Sequence, residues 1–130
     1  MTDADHAALL AAARRARDNA HAPYSGFRVG AAVKSRSGAV YLGCNVENAS
    51  YGATTCAERN AVAAMVAAGE RDIDVIAVCT DSPTLTMPCG ICRQVIIEFG
   101  KTATVVTANA NSHKATPITE LLPDAFAFTP

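Results

Sequence analysis

The chain has no tryptophan, and phenylalanine and tyrosine together supply only 5% of its 130 residues. A channel for single-stranded nucleic acid combines stacking aromatics with a basic track. Charge is sparse too, with 18% charged residues, a formal net charge of -1 and no run of five or six like charges. This excludes a nucleic-acid groove and a polybasic membrane patch, leaving a small, weakly charged partner as the expectation. No stretch approaches the roughly 18 apolar residues of a membrane span, and the alanine-rich opening lacks the order of a signal peptide. A cytoplasmic location is therefore expected. Five cysteines are too odd a number for a disulfide framework. With Cys89 and Cys92 three apart, metal ligation or buried thiols are the better expectation. Half of the chain is apolar, enough for one core, so residues 1–130 are expected to form a single domain without a linker.

Residues 5–19 place Leu9, Leu10, Ala13 and Ala16 at helical spacing. An amphipathic helix follows, with Arg14, Arg15 and Arg17 as a solvated face. Residues 29–35 and 39–44 are β-rich runs around Ser-Arg-Ser-Gly and predict a hairpin. Residues 56–68 predict a buried helix stopped by Gly69, and 90–99 a second one stopped by Gly100. Strands are expected at 72–79 and 102–107, a polar loop over 109–114, and one helical turn at 118–122. The order helix, strand, strand, helix, strand, helix, strand implies an α/β layer fold with helical crossovers between the later strands.

Cys56-Ala57-Glu58 opens one predicted helix and Pro88-Cys89-Gly90-Ile91-Cys92 opens the other. Helix N-termini favour thiolates, because free amides and the helix dipole stabilise negative charge there. Three protein ligands leave a tetrahedral zinc one open position, the mark of a catalytic rather than a structural site. A Cys-x-Glu element followed by Pro-Cys-x-x-Cys is the pattern of zinc deaminases, in which the glutamate carries protons and does not bind the metal. Cys44 and Cys79 lie in predicted strands without a ligand at metal spacing and are read as inert core. A closed structural site would need a fourth ligand from those two, His6, His21 or His113, and none is well spaced. The histidines are read as surface residues.

Around these motifs the chain resembles the small, homotetrameric cytidine deaminases from Pro23 to Phe126. The likeness is carried by Tyr24-Ser25-Gly26-Phe27-Arg28-Val29-Gly30, Gly43-Cys44-Asn45-Val46-Glu47-Asn48-Ala49-Ser50-Tyr51-Gly52, Thr55-Cys56-Ala57-Glu58-Arg59, Met87-Pro88-Cys89-Gly90-Ile91-Cys92-Arg93-Gln94 and Leu121-Leu122-Pro123-Asp124-Ala125-Phe126. The resemblance implies a three-layer α/β/α fold with a mixed five-stranded sheet and helices on both faces. It implies one zinc ion per subunit, held by Cys56, Cys89 and Cys92. It also implies hydrolytic conversion of cytidine and deoxycytidine to their uridine counterparts in pyrimidine salvage, with zinc-activated water and Glu58 as proton carrier.

By the same likeness Asn45 and Glu47 hold the ribose, Phe27 packs beside the pyrimidine, and the Ala57 amide donates to its carbonyl. Tyr51 and Phe126 are expected to reach the site from a neighbouring subunit. Taken alone, Asn45 and Glu47 are equally ordinary loop residues, and each aromatic is more often core or interface packing than a base platform. Arg59, one turn after Cys56, would offset the charge of three thiolates on one zinc; otherwise it is a solvated helix charge, as Arg93 is read to be. Alternatives are a deaminase of a modified cytosine nucleoside such as blasticidin S, and a zinc-stabilised binding module without turnover. Asn45-Val46-Glu47-Asn48 favours plain cytidine over the first, and Glu58 counts against the second.

Overall fold

The computed structural model describes residues 3–129. Helix α1 (Asp3–Arg17) is an alanine-rich helix whose last turn carries Arg14, Arg15 and Arg17, where cations complement the negative end of the helix dipole. Strands β1 (Gly30–Ser35) and β2 (Val40–Cys44) form an antiparallel hairpin. Helix α2 (Ala57–Ala67), β3 (Ile73–Cys79), α3 (Gly90–Phe99) and β4 (Thr104–Ala108) follow, then β5 (His113–Pro117) and the single turn α4 (Ile118–Leu121). The five strands make one sheet in the order β2-β1-β3-β4-β5. Only β3 and β4 are parallel, joined through α3 as a helical crossover, so the sheet is mixed, as the family resemblance implies.

The polar segment expected to be a loop over 109–114 instead turns into β5. Asn109 Oδ1 accepts from the backbone of Asn111 at 2.9 Å and Ser112 at 2.8 Å, while the Asn109 amide donates to the Ser112 carbonyl at 3.0 Å. This asparagine-built turn sends His113 back beside Ala108. Of the five residues in β5 only Thr116 is buried, so the strand has no apolar alternation to betray it. Arg17 also departs from the expected solvated face: its Nε donates to the Arg28 carbonyl at 3.1 Å, and its guanidinium pairs with Asp81.

Strand periodicity sorts the core onto both faces of the sheet. From β1 and β3, Ala31, Val33, Ile76 and Val78 join Ala61, Val62 and Met65 of α2, Ile96 of α3 and Ile118 of α4. Their neighbours Ala32, Val75, Ala77 and Cys79 turn the other way and meet Leu9, Leu10 and Ala13 of α1. Each fully buried Val, Ile or Met side chain contributes about 1.5–3 kcal/mol of transfer free energy.

One glycine decides where α2 sits. A Cβ at Gly43 would lie 2.4 Å from both the Ala57 carbonyl oxygen and the Ala61 nitrogen. Only a residue without a side chain lets the start of α2 rest directly on β2, and that start carries Cys56, Ala57 and Glu58.

Candidate active site

Cys56 is the residue that caps α2, and Cys89 caps α3; both are extended, and neither helix start has a side-chain cap hydrogen bond. Cys92 lies in the first turn of α3, buried. The crossover topology brings these two helix starts together, so the three sulfurs lie within 4.8 Å of one another, with Cys56 and Cys89 Sγ 4.0 Å apart. Two sulfurs about 2.3 Å from one tetrahedral zinc are separated by roughly 3.8 Å. The donor set and its spacing therefore fit zinc, with three thiols from the chain and one position left open.

Electrostatics single out one thiol and one carboxyl. Cys56 is lowered to about 5, first by a hydrogen bond from the Cys92 thiol and then by the Arg59 guanidinium. Cys92 is raised by the same hydrogen bond and by burial. Cys56 thus ionises first and Cys92 donates to it. Glu58, only 6% exposed, is raised to about 7, chiefly because burial penalises its charged form and secondarily because of the Cys56 charge. A carboxyl poised near neutrality can both take and return a proton. Arg59 Nη2 lies 3.7 Å from Cys56 Sγ and 3.5 Å from the Thr54 carbonyl. Its Nε is buried without a partner.

The other candidate residues fall into two groups. Ala57, next to Cys56 in the chain, and Asn45 are buried. Asn45 Oδ1 accepts from the Val29 amide at 2.8 Å, and Nδ2 donates to the Phe27 carbonyl at 2.7 Å. It thereby fixes the segment presenting the Phe27 ring, which is 41% exposed. Glu47 Oε1 accepts from the amides of Tyr24 at 2.9 Å and Ser25 at 3.1 Å, and Oε2 accepts from the Ser25 hydroxyl. The hydroxyl bond, foremost, lowers the Glu47 pKa. Glu47, Tyr24 and Tyr51 line a hollow of about 390 Å³, with the two tyrosine rings edge to face at 6.4 Å. Tyr51 and Phe126, by contrast, project outward, 80% and 73% exposed.

Two contributors escaped the sequence reading. Arg93 is no solvated charge: its Nε donates to the Pro88 carbonyl at 2.7 Å and Nη1 to the Leu121 carbonyl at 2.8 Å, tying the cysteine loop to the C-terminal segment. Ser25, beside Gly26 in a loop, orients Glu47. Arg93 acts through backbone carbonyls and Ser25 through its hydroxyl and its amide, contacts that side-chain periodicity does not report.

A mixed α/β sheet that brings three thiols at two helix starts up to a buried, near-neutral carboxyl defines a zinc-dependent hydrolase. Comparison with known proteins narrows the class. Residues 3–108 match the family described as "Cytidine and deoxycytidylate deaminase zinc-binding region". The cytidine deaminase of Sporosarcina psychrophila is 42% identical, the match covering 92% of this chain and 89% of the relative. That of Halalkalibacterium halodurans is 44% identical, covering 94% of each. The crystal structure of cytidine deaminase from Burkholderia pseudomallei superposes with a TM-score of 0.91 at 50% identity, covering 97% of this chain and all of that one. The chain belongs to the cytidine and deoxycytidylate deaminase family. Among the described residues no helix is long and apolar enough to cross a membrane.

Proposed function

We infer that this chain is a hydrolase that deaminates cytidine and deoxycytidine to uridine and deoxyuridine, releasing ammonia. The observation that carries this reading is Glu58, buried, near-neutral and one residue from Cys56 in the three-thiol cluster. Cys56, Cys89 and Cys92 hold the zinc, which when bound supplies Lewis acidity and lowers the pKa of water. Glu58 takes the proton that water gives up and passes it to ring N3. The water-derived oxygen then adds at C4, and Glu58 moves that oxygen's remaining proton to the amine, so the C–N bond breaks, the C4–O bond becomes a carbonyl and ammonia departs. Burial keeps bulk water from short-circuiting these transfers.

Asn45 and Glu47 bind the sugar. Each retains lone pairs beyond those its backbone partners use, and Asn45 retains a second N–H as well. Losing a sugar hydroxyl would leave these groups unpaired, which selects nucleoside over free base. Phe27 offers a ring to the pyrimidine, and the Ala57 amide, at the free start of α2, donates to its carbonyl. Tyr51 and Phe126, each largely exposed, reach a neighbour's site in a homotetramer. The whole chain, residues 1–130, acts as one catalytic domain in the cytoplasm, where reducing conditions keep the thiols available.

The test is to incubate zinc-loaded protein with cytidine and follow the loss of cytosine absorbance, with Glu58→Gln as control. Loss in the parent protein alone supports the reading; no loss with zinc still bound overturns it.

A further inference from the structure

Asn60 lies one turn into α2, four residues past Cys56. Its side-chain nitrogen donates to the Cys44 carbonyl at 2.8 Å and to the Thr55 hydroxyl at 3.0 Å. The orientation follows from chemistry, because a carbonyl can only accept and the amide must turn its NH₂ toward it. Both donors of that NH₂ are used, and they reach the two chain segments that must agree for the reaction. Cys44 precedes Asn45 and closes β2, and Thr55 precedes Cys56. The same segments pair through Val46 and Thr55, whose amides and carbonyls exchange bonds of 2.9 and 3.0 Å. Gly43 lets α2 approach closely enough for Asn60 to reach across.

Resting on the function inferred above, we propose that Asn60 is a positioning residue. It sets the distance between the segment after β2 that grips the sugar, through Asn45 and Glu47, and the helix start that carries Cys56 and Glu58. Backbone pairing alone ties these segments at a single residue pair. Rotation about that pair would carry a sugar held by Asn45 and Glu47 toward or away from the reacting C4. The two Asn60 bonds remove that freedom from the side of the helix itself. The Asn60 amide nitrogen is committed to the Cys44 carbonyl and the Thr55 hydroxyl, so it acts through the registry of Asn45, Glu47, Cys56 and Glu58.

The test compares cytidine with 3′-deoxycytidine in the zinc-loaded parent protein and in the variants Asn60→Leu and Asn60→Asp. Both variants lose the donors at similar volume, by opposite chemistry, so one can stand if the other fails to fold. The parent protein should turn over cytidine much faster than 3′-deoxycytidine. In the variants kcat/KM for cytidine should fall about 10- to 100-fold, the scale of an ångström of misplacement. For 3′-deoxycytidine it should fall less than about threefold, because its sugar grip is already weakened. Binding of the product uridine to the zinc-loaded variants, by calorimetry, should weaken about tenfold while zinc stays at one per chain. An equal proportional loss on both substrates would mark a purely structural residue and overturn the proposal. Unchanged kinetics, or loss of zinc from both variants, would overturn it too. A parent protein that does not turn over cytidine would instead refute the underlying function.

Discussion

A methyl group at position 43 should damage the enzyme out of proportion to its size. In Gly43→Ala the added carbon would stand 2.4 Å from the Ala57 carbonyl oxygen and the Ala61 nitrogen and 3.0 Å from Ala61 Cα. Non-bonded carbon prefers about 3.5 Å or more, and its three nearest neighbours are all backbone atoms, so no rotamer change relieves those clashes. The start of α2 must retreat from β2 by roughly 1 Å, taking Cys56 and Glu58 with it. Overpacking of this kind costs about 1–3 kcal/mol, and the absence of a yielding side chain puts Gly43→Ala at the upper end. For a domain of this size that is a fall in Tm of about 10 °C. Turnover should drop about 100-fold even well below the Tm, since an ångström at the reacting groups carries that penalty. Melting by circular dichroism, ammonia release and bound zinc would be measured together. Gly52→Ala is the control, because a Cβ there meets nothing within 4 Å. A Tm within a few degrees of the parent together with turnover within about twofold would refute the reasoning that Gly43 seats the catalytic helix.

Glu58→Gln should keep its zinc and its fold while losing about 100- to 10,000-fold in kcat, because it removes proton transfer and leaves the ligands; near-normal turnover in the zinc-loaded variant would sink the assignment. Arg59→Gln should lower zinc affinity or activity about 10- to 100-fold without unfolding the chain, as changes beside metal ligands do; zinc content and kinetics both equal to the parent's would show that Arg59 does not balance the thiolates. Ser25→Ala concerns pH. The Ser25 hydroxyl lowers the Glu47 pKa, so the stabilising contribution of that carboxylate is present above its unfolded value and is lost only as pH falls through the lower folded one. Removing the hydroxyl should move Glu47 titration upward by carbon-13 NMR and bring the acid-side rise in KM to higher pH. A titration that stays put would rule out Ser25 as the cause.

The chemistry was more legible in the sequence than the scaffolding. Cys56, Glu58, Cys89 and Cys92 stand at fixed spacings beside helix starts, and helix starts announce themselves through apolar periodicity and stop signals. The two buried helices and the three inner strands β1, β3 and β4 were readable for the same reason, since each hides an apolar face, and β2 was readable from the turn signal that joins it to β1. Strand β5 was not, because it sits at an edge with only Thr116 buried, and the turn that makes it is built by one asparagine side chain. Arg17 and Arg93 were misread as solvated because their partners, the Arg28 carbonyl and Asp81 carboxylate for one and the Pro88 and Leu121 carbonyls for the other, lie at no helical spacing that the sequence would reveal. Asn60 and Gly43 are silent in the same way: each matters for what lies across a helix-strand contact.

The sheet ends in two unlike edges. Along β5, His113 and Lys114 are exposed and Pro117 closes the strand without an N–H, and such features discourage another chain from adding a strand. Along β2, Val40 and Leu42 stand 45% and 44% exposed with no charge between them. Crowding therefore threatens the molecule from one side only: strand-to-strand aggregation of a partly assembled or freshly made chain would begin at β2, and a lysine at position 42 would protect it where the same change in β5 would do nothing.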